Sequence, residues 1–217
     1  MNDIHGFFFV PPIENNYIGH QFAEIYRDRI YAPFVEGKTD MTILDIGANI
    51  GATAYYFSRY AKTVYAVEPS LEQFDILARM IAFNKIKNIV PVNKAIYIKN
   101  GTFPLFHNKN KTMYSLHQNV NDNSSPSEDV ETITIQGLMD TNKIDEVDLM
   151  KLDVEGSEVE ILSSTSFKEV ASRIKTIITE RHAWSGRHEN QLIDALKDVG
   201  YQVNQIPTSA DVLVATR

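Results

Sequence analysis

The stretch ILDIGANIGATAYYF, residues 43–57, decides how the rest of the chain is read. Thr42, Ile43 and Leu44 run as a strand into Asp45. Gly47 and Gly51 then bracket a short turn, and helix-compatible residues follow. A strand, a tight glycine turn and a helix in that order form a seat for a nucleotide-like cofactor. The order Gly47, Ala48, Asn49, Ile50, Gly51, Ala52 is not the G-x-G-x-x-G of a dinucleotide site. Asn49 stands where a second glycine would admit a pyrophosphate, and Ala52 where a third would stand. A Walker phosphate loop is excluded, because no Gly-Lys-Ser/Thr follows.

Glu68 closes the next strand, TVYAVE, 21 residues after Gly47. An acid at that place can accept hydrogen bonds from both hydroxyls of a ribose. Asp45, beside the turn, suits an ammonium or sulfonium charge. A ribose, no phosphate and a positive centre describe S-adenosylmethionine.

Working outward, Ile18, Phe22, Ile25 and Tyr26 predict a leading helix over 17–31, ended by Pro33, with VEGKTD as a linker. MTILDI is the first strand and Gly51–Tyr60 a helix. Ser70 followed by Gln73 is a capping-box signature, and Leu71, Phe74, Leu77, Ala78 and Ile81 line one face of the helix behind it. NIVPV, VDLMKLDV and IKTIITE are the third, fourth and fifth strands. Leu192, Ala195, Leu196 and Val199 mark a last helix, with Gly200 as its C′ residue. YQVNQI and DVLVAT close the chain. Strands alternating with helices predict an α/β, doubly wound sheet that is mostly parallel. PTSA is too short for a parallel crossover, so the last two strands form an antiparallel C-terminal hairpin. The whole of 1–217 reads as a single domain, with 1–40 as an N-terminal helical extension.

Residues 99–146 break the alternation and show no convincing amphipathic helix. GTFPLFHN, TMYSLH and VETITI are strand pieces, and the polar stretch 118–129 lacks the apolar residues to order itself. This insertion is either a surface loop or a substrate lid over the strand ends.

In DLMKLDVEGSEVEIL, residues 148–162, Asp153 and Glu155 fall at the carboxyl end of the fourth strand, where open α/β sheets bind ligands. Gly156 turns the chain and Ser157 can cap the next helix, with Glu158 and Glu160 on its exposed face. ILDIGANIGATAYYFSRYAKTVYAVEPS, VNKAI and LMKLDVEGSEVEIL together resemble the FkbM-type methyltransferase family over about residues 41–182. The resemblance implies a class I methyltransferase (Rossmann-like) fold, S-adenosylmethionine as cofactor, and O-methylation of sugars and natural products. It also implies Asp45, Gly47, Asn49 and Gly51 beside the methionine part and ribose, and Glu68 on the ribose hydroxyls. Asn93 and Ala95 fall at the adenine edge, and Asp153 by the transferring methyl.

Composition narrows the chemistry. No cysteine is present among 217 residues, so a thiol nucleophile, a thiolate metal site and cytosine C5 methylation are excluded. A net charge of −7 argues against non-specific nucleic-acid binding. The start MNDIHGFFFVPP is not a signal peptide, and no apolar run is long enough to span a membrane, so a cytoplasmic location is expected. The place where some methyltransferases acting on exocyclic amines carry a proline-proline-aromatic turn reads DVEGSE, which leans toward an oxygen acceptor. Candidate bases, in order, are Asp153, His182, Glu155 and Glu180; IITERHAW puts Glu180, His182 and Trp184 on one face if the strand continues. His107 and His117 read as loop residues. No metal ligands are assigned, although Asp153, Glu180 and His182 could gather a divalent ion. A nicotinamide-dependent oxidoreductase and a non-catalytic cofactor-binding or interaction module are the alternative readings.

Overall fold

The computed structural model of the chain describes residues 22–107, 114–117, 126–182, 189–206, 209 and 211–217. A π-helical turn, Ala23–Arg27, leads into α1 (Ala32–Val35), β1 (Met41–Ile46), α2 (Ala52–Phe57), β2 (Ala61–Val67), α3 (Leu71–Phe83) and β3 (Ile89–Val92). Next come β4 (Ala95–Ile96), β5 (Gly101–His107), β6 (Tyr114–Ser115), β7 (Ser127–Ile133) and α4 (Ile135–Thr141). β8 (Val147–Leu152), α5 (Glu158–Ser163), α6 (Thr165–Val170), β9 (Ile174–Glu180), α7 (Glu189–Asp198), β10 (Gln202–Gln205) and β11 (Val212–Thr216) complete the chain.

The main sheet has seven strands in the order β10-β11-β9-β8-β1-β2-β3. Five are parallel, and β11 runs antiparallel to both β9 and β10, as the short last connection requires. Helices cover both faces, so the strands read as continuous apolar runs whose successive residues divide between two cores. Leu44, Met150, Ile177 and Leu213 enter one core; their neighbours Ile43, Leu149, Ile178 and Val214 enter the other. The chain leaves β1 toward β2 and β3, then returns to place β8 on the opposite side of β1. That reversal opens a crevice at the carboxyl ends of β1 and β8, beside Gly47 and Asp153.

Four local expectations are corrected. In the described part of the leading segment the helix is only a π-helical turn, and Pro33 sits in the first turn of α1 instead of ending a helix. The remainder of 17–31, residues 17–21, lies outside the described residues. In α3 the buried residues are Gln73, Ile76, Leu77 and Met80; of the expected face Leu77 is buried and Phe74 and Ile81 pack half-buried against the core, while Leu71 is 64% exposed, as is Phe83 at 59%. Apolar residues ring this helix, so periodicity alone admits two stripes. Gly51 selects one, because Leu77 and Met80 close on the space a side chain there would fill. The capping box is not formed: Ser70 makes no side-chain cap, and Gln73 Nε2 reaches the Tyr114 hydroxyl at 3.4 Å.

Within 99–146, Ile135 belongs to α4 and not to a strand. Thr134 Oγ1 accepts from Gly137 N at 2.9 Å, and Ile135, Leu138 and Met139 are buried. The β-branched run Thr132–Ile135 masked this helix, and its cap was the one signal for it. The rest of the segment forms a second, four-stranded sheet, β4-β7-β5-β6. Ser127–Asp129 of the polar stretch already belong to β7, and 118–125 lie outside the described residues. Among the described residues no helix is long and apolar enough to cross a membrane.

Candidate active site

The glycine turn is shaped by what lies behind it. Gly47 N and Ala48 N both donate to Val67 O at 3.0 Å, which folds the end of β1 over β2. Gly47 has φ +76, and a Cβ there would lie 1.7 Å from the carbonyl oxygen of Asp153. Only glycine lets the β1 and β8 ends approach so closely. Asn49 is also left-handed, at φ 51, and its Oδ1 accepts from Ile50 N at 2.8 Å, the local bonding that lets asparagine adopt this conformation.

Glu68 is buried under the turn. Its Oε2 accepts from Asn49 N and its Oε1 from Ser70 N, each at 2.9 Å. Burial raises its carboxyl to about 7 despite these two bonds. Each oxygen keeps further acceptor capacity. Asn93 Nδ2 donates to Glu68 O and Pro69 O, so it braces the backbone behind Glu68, while Ala95 lines the cleft itself.

This cleft encloses about 660 Å³, counting its open mouth. Gly47, Asn49, Glu68 and Pro69 form one wall, Asp153, Val154 and Glu155 another. Leu105, Tyr114 and Leu116 of the second sheet and its loop form a third. Ser115 Oγ donates to Glu155 O at 2.6 Å and ties that sheet to the β8 end. A second bay of about 820 Å³ lies beyond Gly47 and Asp153, which line both spaces. Its walls include Glu24, Tyr31, Lys151, Ile178 and Glu180.

Lys151 is the candidate site residue that sequence reading missed. The register sets it beside Asp45 across β1 and β8. Its Nζ donates to Gly47 O at 3.0 Å, and lies 3.1 Å from Asp153 Oδ2 and 3.6 Å from Asp45 Oδ1. Burial opposes its charge, but Asp153 and Asp45 outweigh that and hold the ammonium more firmly than in a free lysine. Asp45 is itself fully buried, which lifts its carboxyl to about 6 against the pull of Lys151. A lysine inside an apolar parallel strand was the available signal, since such a charge is rarely buried unpaired.

The segment 153–158 departs from expectation. Glu155 is left-handed at φ 54, and Gly156 follows at φ 107. Ser157 makes no side-chain cap. Glu158 is buried, not on an exposed face, and its carboxylate holds the turn before the helix: Val154 N donates to its Oε1 and Gly156 N to its Oε2, both at 3.0 Å. Glu160 is half-buried and faces His117 Nε2 at 2.8 Å, so His117 is no plain loop residue. His107 ends β5 with its ring 5.7 Å from that of Tyr114.

β9 ends at Glu180, so His182 lies beyond the strand, and Trp184 lies outside the described residues. His182 Nδ1 meets Glu158 Oε1 at 3.0 Å, and its Nε2 is 3.3 Å from Glu155 Oε2 and 3.7 Å from Asp153 Oδ1. Burial disfavours the charged ring, but the bond to Glu158 and the three carboxylates prevail and raise it to about 10. A ring that keeps its proton at neutral pH is a poor base, which moves His182 down the order of candidates. Burial and the Asp153 charge push Glu155 to about 8 and Glu180 to about 7.

The cleft fits S-adenosylmethionine. Carboxylates outnumber cations around it, which suits a cofactor carrying sulfonium and ammonium charges. Ser157 Oγ and Glu155 Oε2 in its wall are buried with no hydrogen-bond partner among the described residues. A parallel sheet with this switch point, glycine turn and strand-end acid defines the class I methyltransferase fold.

Residues 45–203 match the methyltransferase FkbM domain, and the chain belongs to that family. S-adenosylmethionine is its cofactor. The methyltransferase sdnD of Sordaria araneosa is 24% identical over 92% of this chain and 86% of its own. Among solved structures, a SAM-dependent methyltransferase from Aquifex aeolicus has a TM-score of 0.51 at 15% identity, covering 90% of each chain. A Streptococcus mutans protein in complex with SAH has 0.51 at 12% identity, covering 96% of this chain and 98% of that one. At such identities the structural likeness is one of fold.

Proposed function

We propose that the chain methylates a hydroxyl of a small-molecule or saccharide acceptor. The observation that carries this reading is the meeting of two spaces at Gly47 and Asp153: the cofactor cleft on one side and an acid-lined bay on the other. Bound in the cleft, S-adenosylmethionine supplies an electrophilic methyl. The protein's task is to hold an acceptor oxygen in line with that methyl and remove its proton. In this reading Asp153 orients the acceptor, with its Oδ2 fixed by Lys151. Glu180, raised to about 7 in the bay wall, takes the proton, in preference to the first-choice candidate Asp153. Three strands of the second sheet, residues 101–107, 114–115 and 127–133, act as the lid over the cofactor, tied down through Ser115 and Glu155.

The first experiment is calorimetric titration with S-adenosylmethionine, S-adenosylhomocysteine and NAD, with Glu68→Ala as control. Micromolar binding of the two sulfur compounds, lost in the control, is expected. A panel of hydroxyl and amine acceptors with a ¹³C-methyl donor follows, and the methyl carbon resonance of the product separates oxygen from nitrogen transfer. N-methyl products alone would overturn the hydroxyl reading. Glu180→Gln is expected to lower kcat by about 10²–10⁴-fold with cofactor affinity kept. The wild-type kcat should rise with pH through about 7, because the base works only when deprotonated.

A further inference from the structure

Asp153, Glu155 and His182 each offer one ligand atom within 4.8 Å of the others. We propose that these three side chains form a binding site for one divalent cation of the manganese or magnesium kind, at the edge of the cofactor cleft. His182 Nε2 lies 3.3 Å from Glu155 Oε2 and 3.7 Å from Asp153 Oδ1. Octahedral ligands about 2.1 Å from such a cation stand about 3 Å from one another, so the two contacts of His182 would close by about 0.3 and about 0.7 Å. One imidazole with two carboxylates is a donor set between those favoured by magnesium and by zinc, and it suits manganese well.

Three further observations point to a ligand. Glu155 Oε2 is buried, accepts no hydrogen bond among the described residues, and is carried by a left-handed residue that turns it toward His182. Glu158 accepts from His182 Nδ1 while backbone N–H groups of Val154 and Gly156 hold Glu158 in place. A bound cation would displace the Nε2 proton that the ring otherwise keeps, and a carboxylate behind an imidazole, holding the Nδ1 proton so that the other nitrogen faces inward, is the arrangement found around metal-bound histidines. Lys151 occupies Asp153 Oδ2 and leaves Oδ1 on the His182 side. The cation would relieve the repulsion of Asp153 and Glu155, two carboxylates held close in a partly dry wall. Both line the cleft, so ligand positions left open by the protein are reached from it.

The site is tested on the full chain, freed of metal with a chelator and titrated with Mn²⁺. Bound ion is read from the loss of the free Mn²⁺ electron paramagnetic resonance signal, and nitrogen coupling from the pulsed spectrum. One Mn²⁺ per chain is expected, with sub-millimolar affinity and a coupled histidine nitrogen. Glu155→Gln, which keeps the side chain's shape and removes its carboxylate, should weaken binding tenfold or more. Glu158→Gln should weaken it about 10–100-fold without touching the ion. His182→Ala should abolish the nitrogen coupling. No stoichiometric binding at several millimolar Mn²⁺, no nitrogen coupling, or equal affinity in wild type and the two glutamine variants would each overturn the site. S-adenosylhomocysteine binding is measured on the same samples. Its loss with Mn²⁺ binding intact strikes the cofactor reading alone, and the reverse result strikes the cation alone.

Discussion

At the scale of single residues, two positions hold the active centre together. Gly47 has φ +76 and no room for a Cβ beside the Asp153 carbonyl. Gly47→Ala must therefore separate the ends of β1 and β8, and an expected loss of about 3 kcal/mol or more should appear in urea unfolding. An unchanged midpoint would mean that the two strand ends are not in contact. Lys151 is the second position. Lys151→Met leaves Asp45 buried with no cation beside it, and removing one partner of a buried pair costs about 3–5 kcal/mol. The double variant with Asp45→Asn should recover part of that loss. The glycine was legible in the local pattern, since only a tight turn explains it. Lysine 151 was not singled out, because its partner lies 106 residues earlier and only strand register joins them.

At the scale of elements, the insertion between β4 and β8 shows how local and distant causes divide. Its strand pieces were readable from alternation, but their assembly into a separate sheet was not. The short helix α4 depends on the Thr134 cap, whose Oγ1 accepts from Gly137 N. Thr134→Ala should lower global stability by about 1 kcal/mol and leave S-adenosylhomocysteine affinity unchanged, since the cap is absent from the cleft wall. A change in affinity would show that α4 communicates with the site. In α3 the choice of buried stripe was made by contact with Gly51, which no periodicity within the helix contains.

At the scale of the whole molecule, buried charge sets the pH dependence. Folding raises Asp45 to about 6, Glu68 and Glu180 to about 7, and Glu155 to about 8. It also raises His182 from 6.5 to about 10. All five groups hold their protons to higher pH in the folded chain than in the unfolded one, so stability falls as pH rises through these values. The carboxyl contributions are present below the unfolded values near 4 and are lost through pH 6–8. That of His182 is present below 6.5 and is lost through about 10. One pH unit of such a difference is worth about 1.4 kcal/mol per group. The Tm of the cofactor-free protein should therefore decline steadily from about pH 4 to about pH 9. A flat profile would mean that these groups are hydrated in the folded state.

The sequence by itself determined the parallel α/β plan, the antiparallel end, the cofactor turn and the acids at the strand ends. Each rests on short-range pattern: an apolar run, a glycine pair, or a spacing across one strand–helix–strand unit such as that from Gly47 to Glu68. Only the tertiary structure decided that Lys151 would sit beside Asp45. It also turned Glu158 inward to hold His182, sent Glu180 into a bay of its own, and brought the second sheet over the cleft. Those outcomes follow from register between strands and from the crossover that returns the chain to β1. Residues far apart in sequence meet there, and burial beside one another, not local pattern, sets their charge and their chemistry.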